Sequence, residues 1–236
     1  MTVSRPRRAT HSDVPDELVL GAGEADLACR VLNVAVAAIG LLLVAPVMLV
    51  VAVLVKVSSP GPVFYTQTRV GWDRRAALGL SRRDVRRQRD MGGRPFKIYK
   101  FRTMRTMSTN AREQWAREDD PRITRVGNAL RKYRLDELPQ LWNVILGDMN
   151  IVGPRPEQPV IFGELREQID RYQVRQRVRP GITGWAQINQ DYDSSLDTVK
   201  RKVAYDLEYL ARRSAVEDLM IMVRTVPVMV LKKGAW

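Results

Sequence analysis

Residues 34–55 form an unbroken, uncharged and almost wholly apolar run between Arg30 and Lys56. At about 1.5 Å of rise per helical residue, a run of this length suffices for roughly one bilayer crossing. Two observations narrow its shape. Pro46 stands near the middle, where it removes a helix hydrogen bond and bends or breaks the helix. Basic residues flank both ends: Arg5, Arg7, Arg8 and Arg30 before, Lys56, Arg69, Arg74 and Arg75 after. The positive-inside rule assigns both ends to the cytoplasmic side. A bent, re-entrant helix, entering and leaving by one face, satisfies both. A spanning helix and a helix buried in a soluble core are the competing readings.

Charge and rare residues limit the chemistry. The formal net charge of +13 over 236 residues calls for anionic partners: phosphate-bearing metabolites, anionic lipid or nucleic acid. Cys29, the single cysteine, excludes an intramolecular disulfide. His11, the single histidine, lies in a polar N-terminal stretch. Histidine acid/base catalysis and His/Cys zinc sites are therefore nearly excluded, leaving carboxylates as nucleophiles or bases and an oxygen-loving ion such as Mg²⁺ as the expected metal.

The chain divides into a polar tail (1–25), the membrane helix (26–57) and a catalytic domain (58–236) carrying a basic insertion at 72–93. The apolar run begins too late, behind acidic residues, to read as a signal peptide. Strands are expected at 63–70 and 95–104, and helices at 109–118, 125–134, 138–146, 157–177 and 195–212. Residues 180–187 read as a constrained loop. The apolar stretch 219–231, with Arg224 inside it, suits an interfacial helix.

Asp136 and Glu137 are the carboxylates of interest. With Pro139 following, they make a good helix start: Asp is a preferred N-cap and Pro is tolerated in the first turn. The same placement serves chemistry, since a carboxylate at a helix N-terminus is held ionised. One of the pair could then attack while the other holds Mg²⁺. Arg122, Arg125, Arg131, Arg134 and Arg155 stand nearby in sequence and suit bidentate phosphate contacts, although a solvated basic face explains most of them singly. Arg155 stands apart, set between two prolines. Lys100 and Arg102 alternate with aromatics, so that one face could pack while the other meets anions. The arginines of 72–93 lack the aromatic interleaving that stacks single strands, and headgroup attraction explains them at least as well as nucleic acid does.

These blocks together resemble the bacterial sugar transferases, the monotopic polyprenyl-phosphate phosphoglycosyl transferases. The resemblance covers roughly 29–234. It rests on Gly61-Pro-Val-Phe-Tyr-Thr-Gln-Thr-Arg-Val-Gly71, Lys100-Phe-Arg-Thr-Met104 and Asp120-Pro-Arg-Ile-Thr-Arg-Val-Gly127, followed by Leu135-Asp-Glu-Leu-Pro-Gln-Leu-Trp-Asn-Val144, Gly147-Asp-Met-Asn-Ile-Val-Gly-Pro-Arg-Pro-Glu157 and Pro180-Gly-Ile-Thr-Gly-Trp-Ala-Gln187, all in order. The chain looks like the small form, without the extra transmembrane helices of larger relatives.

The resemblance implies transfer of a sugar-1-phosphate from a UDP-sugar to a polyprenyl phosphate (undecaprenyl or decaprenyl), releasing UMP. This would be the first membrane step of an exopolysaccharide, O-antigen or glycoconjugate pathway, at the cytoplasmic face of the plasma membrane, feeding downstream glycosyltransferases. It implies Asp136 as the nucleophile that forms a covalent phosphosugar, Glu137 beside it with Mg²⁺, and Asp136 and Glu137 as the metal ligands. Arg131, Arg155, Lys100, Arg102 and Arg122 are the expected phosphate or nucleotide contacts, and Pro46 the helix break. The expected fold class is α+β, predominantly helical, a membrane-anchored monotopic domain with a small strand region and interfacial amphipathic helices. Three departures are visible: Ala45 where many members have Ser, Cys29-Arg30 with Asn33 where members carry Lys-Arg and a nearby Asp, and the 72–93 insertion. The alternative is a non-enzymatic basic adaptor at a membrane surface, or a nucleic-acid binder, resting on 72–93.

Overall fold

A computed structural model describes residues 23–73, 92–105, 120–190 and 195–230. A long helix α1 (Gly23–Ser58) leads into the strands β1 (Phe64–Val70) and β2 (Pro95–Phe101). Helix α2 (Arg125–Lys132), a 3₁₀ turn (Leu135–Glu137), helix α3 (Gln140–Leu146) and strand β3 (Asn150–Val152) follow. The chain continues through α4 (Pro159–Gln168), a second 3₁₀ stretch (Tyr172–Arg177) and β4 (Gly181–Thr183). Helices α5 (Trp185–Asn189), α6 (Leu196–Arg212) and α7 (Ala215–Val230) complete it. Helix predominates and the strands are few, as the α+β class requires. The helix expected at 109–118, most of the basic insertion (74–91) and the tail to residue 22 lie outside the described residues.

The apolar run lies within α1, a helix of 36 residues that continues through Pro46 rather than breaking there. Pro46 therefore does not end the helix. Proline forfeits one backbone bond, and the long apolar sequence on either side keeps the rest of the ladder. Among the described residues α1 is the helix long and apolar enough to cross a membrane by length and composition, and only 11% of its most apolar window is buried. A soluble core helix would be mostly covered, so that reading falls.

Both ends of α1 rest on the globular body. Near its start, Ala37 packs with Phe96, Ile98, Val144 and Met149. Near its end, Val51 and Val55 pack with Phe101 and Leu130. Polar anchors reinforce the first contact. Arg30 donates to the Val144 carbonyl (2.5 Å), the Met149 carbonyl (2.9 Å) and Asn150 Oδ1 (3.1 Å). The buried Asn33 donates to Asp218 Oδ2 on α7 (2.6 Å) and accepts from the Val152 amide (3.0 Å). Tyr209 holds the other oxygen of Asp218 at 2.7 Å. This is how the chain anchors its helix with Asn33 in place of an acidic residue.

The strands form two small sheets. β1 and β2 pair antiparallel, with Tyr65 opposite Lys100 and Phe64 opposite Phe101. Asn143 of α3 clamps β2 by donating to the Lys97 carbonyl (2.8 Å) and accepting from the Tyr99 amide (3.0 Å). β3 and β4 pair in parallel, Asn150 with Gly181 and Val152 with Thr183. Residues 180–187 are thus a strand and a short helix rather than a loop, because strands this short leave no alternation to read and the partner lies far away in sequence.

The single helix expected over 157–177 is also corrected. α4 ends at Gln168, and Arg171 at φ +59° turns the chain into the second 3₁₀ stretch. The apolar spacing persists past the break because Phe162, Ile169, Tyr172 and Val174 all enter one core cluster, together with Val203, Leu207 and Ile221 of α6 and α7. The expected interfacial helix starts earlier than read, at Ala215, and leaves Val216, Leu219, Val223 and Val226 exposed.

Candidate active site

Asp136 and Glu137 sit in the 3₁₀ turn between α2 and α3, and both are buried. Arg134, at φ +53°, reverses the chain after α2 and sets the turn up. A left-handed conformation at a non-glycine residue costs on the order of 1–3 kcal/mol and persists only where the surroundings enforce it. The carboxylates do not cap a helix: α3 begins after Pro139, and neither the turn nor α3 carries a side-chain cap bond. The helix-start reading of Asp136 is thereby corrected. Leu135, Asp136 and Glu137 wind more tightly than an α-helix, which leaves both carboxylates available for other partners.

Those partners are cations from distant elements. Lys100, at the end of β2, places Nζ 2.7 Å from Glu137 Oε1 and 4.0 Å from Asp136 Oδ2. Arg155 donates to the same Glu137 Oε1 at 2.9 Å. Burial alone would raise Glu137, but Arg155 and Lys100 outweigh it and hold the group far below the ordinary carboxylate range. Asp136 moves the opposite way. Burial raises it, Lys100 opposes, and the neighbouring Glu137 charge raises it further. Two adjacent carboxylates thus differ: one is a fixed anion locked to two cations, and the other is a less solvated oxygen base beside them. The expectation that Asp136 is simply held ionised by a helix terminus gives way to this balance.

The loop carrying Arg155 is built rigidly. The Gly153 amide donates to the Thr183 carbonyl (2.9 Å) and the Gly181 amide to the Pro154 carbonyl (3.0 Å), which lays the Gly-Pro-Arg-Pro loop along Pro-Gly-Ile-Thr-Gly. The approach is too close for side chains: a Cβ on Gly181 would lie 2.1 Å from the Gly153 nitrogen. Beyond Arg155, Arg69 donates to the Pro156 carbonyl (3.2 Å) and Lys202 pairs with Glu157 (2.8 Å). Arg175 donates to the Arg155 carbonyl (3.1 Å) and pairs with Asp206 (2.6 Å).

The other expected phosphate contacts are placed differently. Arg131 donates through Nε to Thr103 Oγ1 (3.0 Å), and its electrostatic effect reaches Asp136. Arg122 makes a bidentate pair with Asp120. Arg102 is buried and donates to the carbonyls of Ser59 (2.6 Å), Pro60 (2.8 Å) and Val55 (3.4 Å), pinning the turn that ends α1. The structure brings Lys100 and Arg155 to the dyad, and gives Arg102 and Arg122 other partners.

For a metal, the dyad offers two adjacent carboxylates, and among the described residues no group of three or more Asp, Glu, His or Cys side chains could hold an ion. That suits Mg²⁺, which is commonly bound by one or two carboxylates with phosphate oxygens and water filling the remainder.

A buried carboxylate pair flanked by lysine and arginine and reached by a Gly-Pro-Arg-Pro loop is an arrangement fit to bind a diphosphate. The sequence model of one family, bacterial sugar transferase, matches residues 25–232. The chain belongs to the bacterial sugar transferase family. It is 41% identical over 199 residues to the UDP-glucose:undecaprenyl-phosphate glucose-1-phosphate transferase of Escherichia coli K12, covering 84% of this chain and 39% of that protein. It is 39% identical over 206 residues to the UDP-N-acetylgalactosamine-undecaprenyl-phosphate N-acetylgalactosaminephosphotransferase of Aeromonas hydrophila, covering 87% and 44%. With the exopolysaccharide production protein ExoY of Rhizobium meliloti it shares 36% identity over 225 residues, covering 89% and 88%. This member of the family therefore spans less than half of the first two relatives and most of the third.

Sequence reasoning missed Thr103, Asn143, Arg175, Lys202 and Asp206. A signal existed for the last two. Lys202 and Asp206 lie four apart on α6 beside Val203 and Leu207, on the buried side of the helix.

Proposed function

We propose that this protein transfers a sugar-1-phosphate from a UDP-sugar to a polyprenyl phosphate at the cytoplasmic face of the membrane, releasing UMP. The observation that carries the reading is the convergence of Lys100 and Arg155 on the buried Asp136–Glu137 pair. Relatives named for this transfer to undecaprenyl phosphate support it.

Asp136 Oδ attacks the β-phosphorus of the UDP-sugar, and the bond from that phosphorus to the oxygen bridging the α-phosphate breaks. UMP leaves with that oxygen, and the sugar phosphate remains on the aspartate as an acyl phosphate. A phosphate oxygen of the lipid then attacks the same phosphorus and returns the Asp136 carboxylate, giving a polyprenyl diphosphosugar. Lys100, 4.0 Å from Asp136 Oδ2, favours the ionised nucleophile against the cost of its burial. Arg155 and Lys100 offer positive charge to the phosphate oxygens, while Glu137 fixes both cations in place. Mg²⁺ held by Asp136 and Glu137 would neutralise charge on the diphosphate.

The re-entrant reading of α1 draws support from its two contacts. Arg30 and Asn33 near its start and Val51 and Val55 near its end all contact the same domain. A straight crossing would carry these ends to opposite sides of the bilayer. The middle of α1, with Leu42, Leu43, Leu49 and Val50 exposed, is left to meet lipid.

The test is UMP release by nanodisc-held protein given a panel of UDP-sugars, polyprenyl phosphate and Mg²⁺. Release with one donor, abolished in Asp136→Asn, is expected. Full transfer by that variant would remove Asp136 as nucleophile, and no release with any donor would remove the reaction.

A further inference from the structure

The lipid acceptor must bring its phosphate out of the bilayer to the buried dyad, and the structure offers a path between them. The turn at 58–62 joins α1 directly to β1, and the buried Arg102 fixes it through the Ser59 and Pro60 carbonyls. The first residues of β1 beyond this turn are Phe64 and Tyr65, 47% and 41% exposed. Adjacent strand residues face opposite sides of a sheet, and cross-strand partners share a side. Phe64 thus shares a side with Phe101 and stacks on it at 5.3 Å. Phe101 in turn packs on Val51 and Val55 of α1. Tyr65 shares the other side with Lys100, whose Nζ reaches Glu137 and Asp136. Two half-exposed aromatics therefore step from the end of the membrane helix, where Val53, Leu54 and Val57 are exposed, to the lysine of the dyad.

We propose that Phe64 and Tyr65 form the docking edge for the first isoprenyl units of the polyprenyl phosphate. This rests on the transfer reading above and identifies where its acceptor lies. Half-exposed aromatics continuous with an apolar helix suit a narrow hydrocarbon chain, and Lys100 opposite Tyr65 suits the phosphate at its head. A nucleobase could stack on a tyrosine, but Phe64 stacks on Phe101, on the side of the sheet that packs against the membrane helix, which favours the lipid.

The test is steady-state transfer in nanodiscs by Phe64→Ser, Tyr65→Ser and the double variant, with the donor that the wild-type protein turns over. The KM for polyprenyl phosphate should rise about tenfold per substitution, as loss of roughly half an aromatic burial implies. The KM for the UDP-sugar should stay within about twofold. A rise confined to the donor KM would place the nucleotide on this edge and overturn the proposal, as would unchanged values for both. A photo-crosslinking residue substituted for Tyr65 reads binding without turnover, with the same residue substituted for the exposed Val160 as control. It should capture polyprenyl phosphate well above its share of the nanodisc lipid. Capture at 65 no greater than at 160 would sink the docking edge even if the enzyme proves active. Conversely, strong capture by a protein that releases no UMP would spare the docking edge and remove the reaction.

Discussion

Arg175 is a buried residue outside the dyad whose removal should be strongly destabilising. Its side chain is fully buried, pairs with Asp206 Oδ2 at 2.6 Å, donates to Tyr172 Oη at 2.9 Å and holds the Arg155 carbonyl at 3.1 Å. Burial raises Asp206, with Arg175 the chief opposing charge and Lys202 the next. Arg175→Met keeps most of the stem volume but leaves Asp206 with a weaker counter-charge and two acceptors without this donor. Breaking a buried pair from one side costs about 3–5 kcal/mol. In a chain of this size each kcal/mol lowers the melting temperature by roughly 2–4 °C, so the expected loss is about 6–20 °C. The assay is thermal unfolding in one detergent, with Asp206→Leu and the double variant completing a cycle. The double variant should recover part of the loss, since no unpaired charge stays buried. Turnover should fall as well, because the Arg155 loop loses a tether. A single variant within 2 °C of wild type, or a double variant no better than the single, would refute the argument that this pair is a unit.

Three further outcomes follow from the same structure. Because burial lifts Asp136 above the ordinary aspartate range, the acid limb of donor kcat/KM should lie above that range, and Lys100→Met should move it higher still; a pH profile of UMP release checks both. Glu157 is held down to about 2 from an ordinary 4.5, against the effect of its burial, chiefly by Lys202. Its stabilisation, on the order of 3 kcal/mol, is therefore complete above pH 4.5 and lost as pH falls towards 2. Urea unfolding at pH 7 and pH 3 should show a gap that narrows in Lys202→Met. Finally, a Cβ on Gly127 would lie 1.9 Å from the Thr103 carbonyl oxygen, and Thr103 holds Arg131. Gly127→Ala should cost about 1–3 kcal/mol by overpacking, read by thermal unfolding, and should reduce turnover.

What could be read from the sequence depended on whether the signal was local. The apolar run 34–55, the hairpin strands and α6 each carry their own period or composition, and the structure places them within a few residues of expectation. Asp136, Glu137 and Arg155 were legible because carboxylates before a proline and an arginine between prolines are odd locally. What failed was pairing at a distance. β3 and β4 are each three residues long and specify nothing until laid side by side. The destinations of Arg102 and Arg122 could not be told apart either. Both are arginines in motif blocks, yet one spends its donors on the carbonyls ending α1 and the other on its neighbour Asp120.

The same distinction explains why the dyad behaves unlike a helix cap. A cap is a local device, and the sequence around Asp136 suits one. The cations Lys100 and Arg155 arrive instead from β2 and from the loop after β3, 37 and 18 residues away from Glu137. Pairing with them secures a buried carboxylate only if those elements are held still, by Asn143 on β2 and by Arg175 and Lys202 around the 153–157 loop. The second charged cluster, around Glu157 and Asp206, is accordingly part of the site's construction: it fixes the backbone from which Arg155 reaches the carboxylates. Substitutions there should act on turnover through the position of Arg155, whereas on the proposed route substitutions at Asp136 should act on the chemistry itself.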